Sequence, residues 1–154
     1  MSQILLDKDG IQKALADLAL QIKADVPLGV PIGVIGIRSR GDILADRLIE
    51  QLRNNGFSNV ASGALDITLY RDDLAHKGPL AVLQKTEIDF DVDGLYLLLV
   101  DDVLHTGRSV RAALDALIDL GRPVAIRLVV LVERPGRELP IQADFVAVKV
   151  KEPN

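Results

Sequence analysis

The sequence predicts an α/β domain built on a parallel sheet with helices on both faces, and three observations carry that prediction. Residues 95–100, Leu-Tyr-Leu-Leu-Leu-Val, form an apolar run too short for a membrane span and too apolar for a strand with one wet face. They read as a strand buried on both sides. The acidic pair Asp101-Asp102 follows, then the turn Thr106-Gly107-Arg108-Ser109, then Val110, Ala113, Leu114, Leu117 and Ile118 at helical spacing. An earlier apolar strand, glycine-bearing turn and helix occupy residues 32–54.

Taken in order, residues 9–24 carry Ile11, Ala14, Leu15, Leu18, Ala19 and Ile22 on one face, a helix that Asp7 or Asp9 would cap. Val26-Pro27-Leu28-Gly29-Val30-Pro31 stops it. Residues 32–37 read as a second buried strand, whose Gly33 and Gly36 suggest a backbone passing close by. After Arg38-Ser39-Arg40-Gly41 comes a helix over 42–54, ended by Gly56, and then a strand over 60–70. The connection 71–94 is long for a compact domain and reads as a lid. Beyond the central helix, Leu120-Gly121-Arg122-Pro123 is a stop, and residues 125–132 form a further strand.

Composition narrows the class. A chain of 154 residues is read as one domain, 1–154, and its 3% aromatic content makes the core one of Leu, Val, Ile and Ala. With no cysteine there is no disulfide framework, thiolate metal site or cysteine nucleophile, which fits a reducing cytoplasm. Neither a signal peptide nor a membrane anchor is expected from Met1-Ser2-Gln3-Ile4-Leu5-Leu6-Asp7. A net charge of −4 gives no general attraction to nucleic acid.

Two stretches carry chemistry. The turn 105–109 offers backbone N–H groups at the positive end of a helix, hydroxyls from Thr106 and Ser109, and a glycine for close approach, which suits a phosphate. Asp101 and Asp102 can accept hydrogen bonds from vicinal hydroxyls, so a ribose 5-phosphate satisfies both halves. Arg38-Ser39-Arg40-Gly41 combines guanidinium forks with turn N–H groups, as a pyrophosphate requires. Each stretch alone also has a plainer reading: an acidic strand end with a capped helix, and a solvated basic turn.

Residues 100–109, Val-Asp-Asp-Val-Leu-His-Thr-Gly-Arg-Ser, resemble the phosphoribosyl-pyrophosphate (PRPP) motif of type I phosphoribosyltransferases. Residues 65–74 and 133–146 are similar to one subgroup, the PyrR family of pyrimidine-operon attenuation regulators that double as uracil phosphoribosyltransferases. The resemblance implies the type I fold, with a small hood from the N- and C-terminal segments and a flexible lid at about 71–94. It implies conversion of uracil and PRPP to UMP and pyrophosphate through an oxocarbenium-like anomeric carbon, with no covalent nucleophile. By the same resemblance Asp101, Asp102 and Arg71 are catalytic. Ser39, Arg40, Val103, Leu104, His105, Thr106, Gly107, Arg108 and Ser109 bind PRPP, while Arg134, Phe145 and Val146 lie at the nucleobase. Mg²⁺ arrives on PRPP, with no protein ligand assigned and Asp101 and Asp102 outside its direct coordination. A non-proline cis peptide is expected near Arg38-Ser39, and a homo-oligomer in the cytoplasm.

Several positions depart from the subgroup's pattern: His105 replaces a tyrosine, Gly136 a histidine, Gln142 an arginine and Asp17 a basic residue. A segment the subgroup carries after the last strand is missing beyond Ala147. Fewer cations on one face weaken RNA binding, because each phosphate contact releases counterions. Three alternatives therefore stay open: an attenuator that binds RNA in response to UMP, a non-catalytic nucleotide sensor, and a transferase for a purine or orotate.

Overall fold

The computed structural model describes residues 7–67 and 86–151. Five strands, β1 (Ile32–Arg38), β2 (Val60–Asp66), β3 (Tyr96–Leu104), β4 (Ala125–Glu133) and β5 (Phe145–Lys149), pair in parallel in the order β2-β1-β3-β4-β5. The continuous apolar runs of β1 and β3 are explained by their central position, since both of their faces are covered. Helices α1 (Lys8–Asp25) and α2 (Gly41–Asn54) cover one face, where Leu15, Leu18, Leu44 and Leu48 meet Leu98, Val100 and Val129. Helix α3 (Arg108–Leu120) covers the other, where Ala113, Ala116 and Leu117 meet Leu97, Leu99 and Val130. The predicted α/β architecture is the one observed. No helix among the described residues is long and apolar enough to cross a membrane.

Local chemistry sets the helix boundaries. Of the two capping candidates, Asp7 is the cap: its carboxylate accepts the Gly10 N–H at 2.7 Å, while Asp9 lies in the first turn. Helix α3 begins after Gly107, whose φ of +96° is a left-handed conformation that glycine adopts without a side-chain penalty.

One expectation is corrected. Strand β3 runs through the acidic pair to Leu104, because β4 continues beside it, with Asp101 opposite Val130 and Val103 opposite Val132. Its neighbour β1 pairs with it only as far as Gly36 opposite Val100 before the chain turns into α2. The N- and C-terminal segments supply α1 and β5, and Leu15, Leu18, Ile22 and Phe145 from them are buried. Of the connection 71–94, residues 71–85 lie outside the described residues, as do positions 68–70 of the expected third strand. The remainder packs on the sheet: Glu87 bridges to Ala64, and Val92 is buried.

Candidate active site

In a doubly wound sheet of this order the chain leaves neighbouring strands β1 and β3 toward opposite faces, opening a crevice at their C-terminal ends. Both stretches singled out in the sequence border that crevice. At Gly36 an added Cβ would lie 2.4 Å from the Asp42 Cα and the Gly41 carbonyl oxygen, and at Gly41 2.6 Å from the Val100 carbonyl. Small residues are what let the start of α2 settle between β1 and β3. The close approach expected for the β1 glycines is therefore a backbone at Gly36. At Gly33 it is the side chains of Leu97 and Phe90.

The Arg38–Ser39 peptide is cis, as expected, and Arg40 has φ +81° at the start of α2. The two arginines of this loop do different things. Arg38 is pinned, with its guanidinium 2.7 Å from the Glu87 carboxylate and 3.4 Å from Asp42. The Glu87 hydrogen bond holds its pKa above the ordinary arginine value, against burial, which acts the other way. Arg40 instead reaches across the crevice to Asp102, 3.6 Å away, with its side chain 79% exposed.

Asp101 is buried, and each carboxylate of the pair is held by the next peptide: Asp101 accepts the Asp102 N–H and Asp102 the Val103 N–H, both at 2.8 Å. Val103, Leu104, His105, Thr106, Gly107 and Ser109 line a hollow of about 60 Å³ together with Val110. One water needs about 10–15 Å³ by such a measure, so the hollow admits a group the size of a tetrahedral anion. The first-turn N–H groups of α3 have no intrahelical acceptor. The Thr106 hydroxyl accepts the Arg108 N–H at 3.2 Å. The Arg108 side chain turns to Glu138, at 2.8 Å.

Ser39 and Arg40 thus follow β1, and residues 101–109 end β3 and open α3, at the same edge of adjacent strands, while Arg71 lies outside the described residues. Arg134 stands at the end of β4, its N–H donating to the Leu104 carbonyl at 2.9 Å. Phe145 and Val146 lie on the edge strand. They begin β5, where Phe145 is 5% exposed and pairs with Val129. Two participants were missed: Glu87, which holds Arg38, and Arg137, which bonds three carbonyls. No sequence periodicity marks a side chain that bonds to distant backbone. Among the described residues no three His, Cys, Asp or Glu side chains gather to hold a metal.

The chain matches the phosphoribosyl transferase domain over residues 1–153. It is 50% identical to the bifunctional protein PyrR of Roseiflexus sp. (strain RS-1), over 95% of this chain and 80% of that protein. It is 48% identical to the protein of the same name from Pelotomaculum thermopropionicum, over 95% of this chain and 81% of that one. A hypoxanthine-guanine phosphoribosyltransferase from Bacillus anthracis shares the fold, with a TM-score of 0.75, 20% identity and coverage of 98% of this chain and 84% of that one. The crevice, its two turns and these likenesses agree: the chain belongs to the phosphoribosyltransferase family, in the group that the bifunctional PyrR proteins form.

Proposed function

We propose that this phosphoribosyltransferase converts uracil and PRPP to UMP and pyrophosphate. One observation carries the reading: an acidic pair lies between two helix-starting turns, each built for an anion, at the switch point of the sheet. In this reading residues 103–109 hold the 5-phosphate, and Ser39 and Arg40 hold the pyrophosphate. Asp101 and Asp102 take the ribose hydroxyls and stabilise the positive charge that develops on the ring. The bond from C1′ to the pyrophosphate oxygen breaks, a bond from C1′ to uracil N1 forms, and the N1 proton leaves. Arg71 is assigned to the phosphates, and Arg134 and Val146 to the base side, by resemblance alone; Phe145, buried in the core, is withdrawn from it.

Magnesium fits this site as a passenger on the substrate, since two carboxylates are too few for a protein cage and the ion would be held by the substrate's oxygens and water, with Asp101 and Asp102 outside its direct coordination. When bound it would neutralise the leaving pyrophosphate. The preference for uracil rests on the 48–50% identical relatives rather than on the fold, which purine transferases share. We read the protein as cytoplasmic and homo-oligomeric, the latter checked by sedimentation.

Calorimetry with Mg-PRPP on the wild type and on the Asp101→Asn, Asp102→Asn double variant tests the site. Heat from the first and none from the second is expected; identical heats overturn the assignment. Turnover with uracil, hypoxanthine, guanine and orotate tests the substrate, and activity on hypoxanthine without uracil ends that reading. The name bifunctional carried by the relatives favours a second role, UMP-responsive binding of pyrimidine leader RNA. A gel shift with and without UMP tests it, and binding no tighter than to scrambled RNA removes it.

A further inference from the structure

Three successive carbonyls leading into the anion turn, those of Leu104, His105 and Thr106, are held from one side. Arg134 N–H donates to the Leu104 carbonyl at 2.9 Å, and the N–H groups of Glu138 and Leu139 donate to the Thr106 carbonyl at 2.9 and 3.2 Å. Between them, the guanidinium of Arg137 donates to the His105 carbonyl. A peptide group is planar and trans as a rule, so its N–H points away from its own C=O. Holding these three carbonyls against the segment that follows β4 therefore aims the next N–H groups, those of His105, Thr106 and Gly107, the opposite way. Those residues line the hollow beside the acidic pair.

Two of the three clamps are main chain to main chain. The middle one alone depends on a side chain, and that side chain is itself locked. Arg137 donates from Nε to the Ile141 carbonyl at 2.8 Å and from Nη1 to the Arg134 carbonyl at 3.1 Å, and its Nη2 lies 3.4 Å from Glu133. It is mostly buried, with 23% of the side chain exposed, and its planar fork is used for geometry rather than offered to solvent.

We infer that Arg137 is a positioning residue, which presets the N–H groups of residues 105–107 for the phosphate monoester of the sugar without touching it. This rests on the reading of that turn as the 5-phosphate site. The effect is local: affinity for ribose 5-phosphate depends on Arg137, while affinity for inorganic pyrophosphate, held by the loop after β1, does not.

The test is calorimetry of ribose 5-phosphate and of pyrophosphate with Mg²⁺ on the wild type, Arg137→Gln and Arg137→Lys, with thermal unfolding of each. Both variants are expected to bind ribose 5-phosphate about tenfold more weakly, the worth of a charge-assisted hydrogen bond, and pyrophosphate within about twofold of wild type. Lysine keeps the charge but not the fork, so wild-type binding by Arg137→Lys would make Arg137 a mere attracting charge and overturn the inference. Parallel loss of both ligands, or failure of both variants to fold, assigns Arg137 to global stability and overturns it equally. A wild type that binds pyrophosphate but no ribose 5-phosphate instead sinks the 5-phosphate reading of the turn, and the inference with it.

Discussion

Replacing Gly36 with alanine measures how tightly the start of α2 is set into the crevice. The new Cβ would lie 2.4 Å from the Asp42 Cα, 2.4 Å from the Gly41 carbonyl oxygen and 2.6 Å from the Asp42 nitrogen. Carbon contacts are comfortable from about 3.5 Å, so β1 and α2 must part by about 1 Å, and no flexible side chain can yield instead. Overpacking of this kind costs about 1–3 kcal/mol, offset by about 0.4–1 kcal/mol from the stiffer unfolded chain. A net loss of about 1–2 kcal/mol lowers Tm by about 2–8 °C in a domain of this size. The loop 38–41 moves with the helix, and pyrophosphate affinity should fall about ten- to a hundredfold, the upper figure being what a 1 Å misplacement can cost in rate. Two further variants calibrate the result. Gly29→Ala meets nothing within 4 Å and should melt with the wild type, whereas Gly33→Ala meets the movable ends of Leu97 and Phe90 and should fall between. Thermal unfolding by circular dichroism, with calorimetry of Mg-pyrophosphate, provides both readouts. If Gly36→Ala matches Gly29→Ala in both, the close approach of helix to strand is refuted.

Other expected outcomes follow from individual contacts. Asp7→Ala removes the carboxylate that caps α1 and should cost about 1 kcal/mol of stability in denaturant unfolding, leaving turnover unchanged. Arg40→Gln should raise the KM for PRPP about tenfold with little change in Tm, because its exposed pair with Asp102 contributes at most about 1 kcal/mol to folding; an unchanged KM would detach Arg40 from the pyrophosphate. Phe145→Ala should lose about 3–5 kcal/mol, while the milder Phe145→Leu should keep the wild-type KM for the base. A raised KM in the folded leucine variant would restore Phe145 to the base pocket.

The central layer could be read from the chain because burial on both faces leaves a mark in composition: the uninterrupted apolar runs of β1 and β3 admit few other placements. The anion turn was legible for a similar reason, since strand, carboxylates, glycine and helix lie within fifteen residues. What escaped depends on partners distant in sequence. The extension of β3 past Asp102 is decided by β4, which continues alongside after β1 has left. The burial of Phe145 is decided by the pairing of β5 with β4 at the sheet's edge, beside Val129. Gly33 and Gly36 look alike in the sequence, yet one faces side chains and the other a helix backbone. Arg38 and Arg40 likewise look equivalent until Glu87, far along the chain, occupies the first.

The pairing of Arg40 with Asp102 joins the two halves of the crevice. An incoming diphosphate that draws the guanidinium to itself leaves the carboxylate open to a sugar hydroxyl, and a sugar that engages the carboxylate releases the cation in turn. Under the proposed roles of Arg40 and Asp102, each fragment of the substrate would ease entry of the other, and linkage makes that help equal in both directions. Since so exposed a contact is worth about 1 kcal/mol at most, the mutual assistance amounts to no more than about fivefold, and it fades as ionic strength rises.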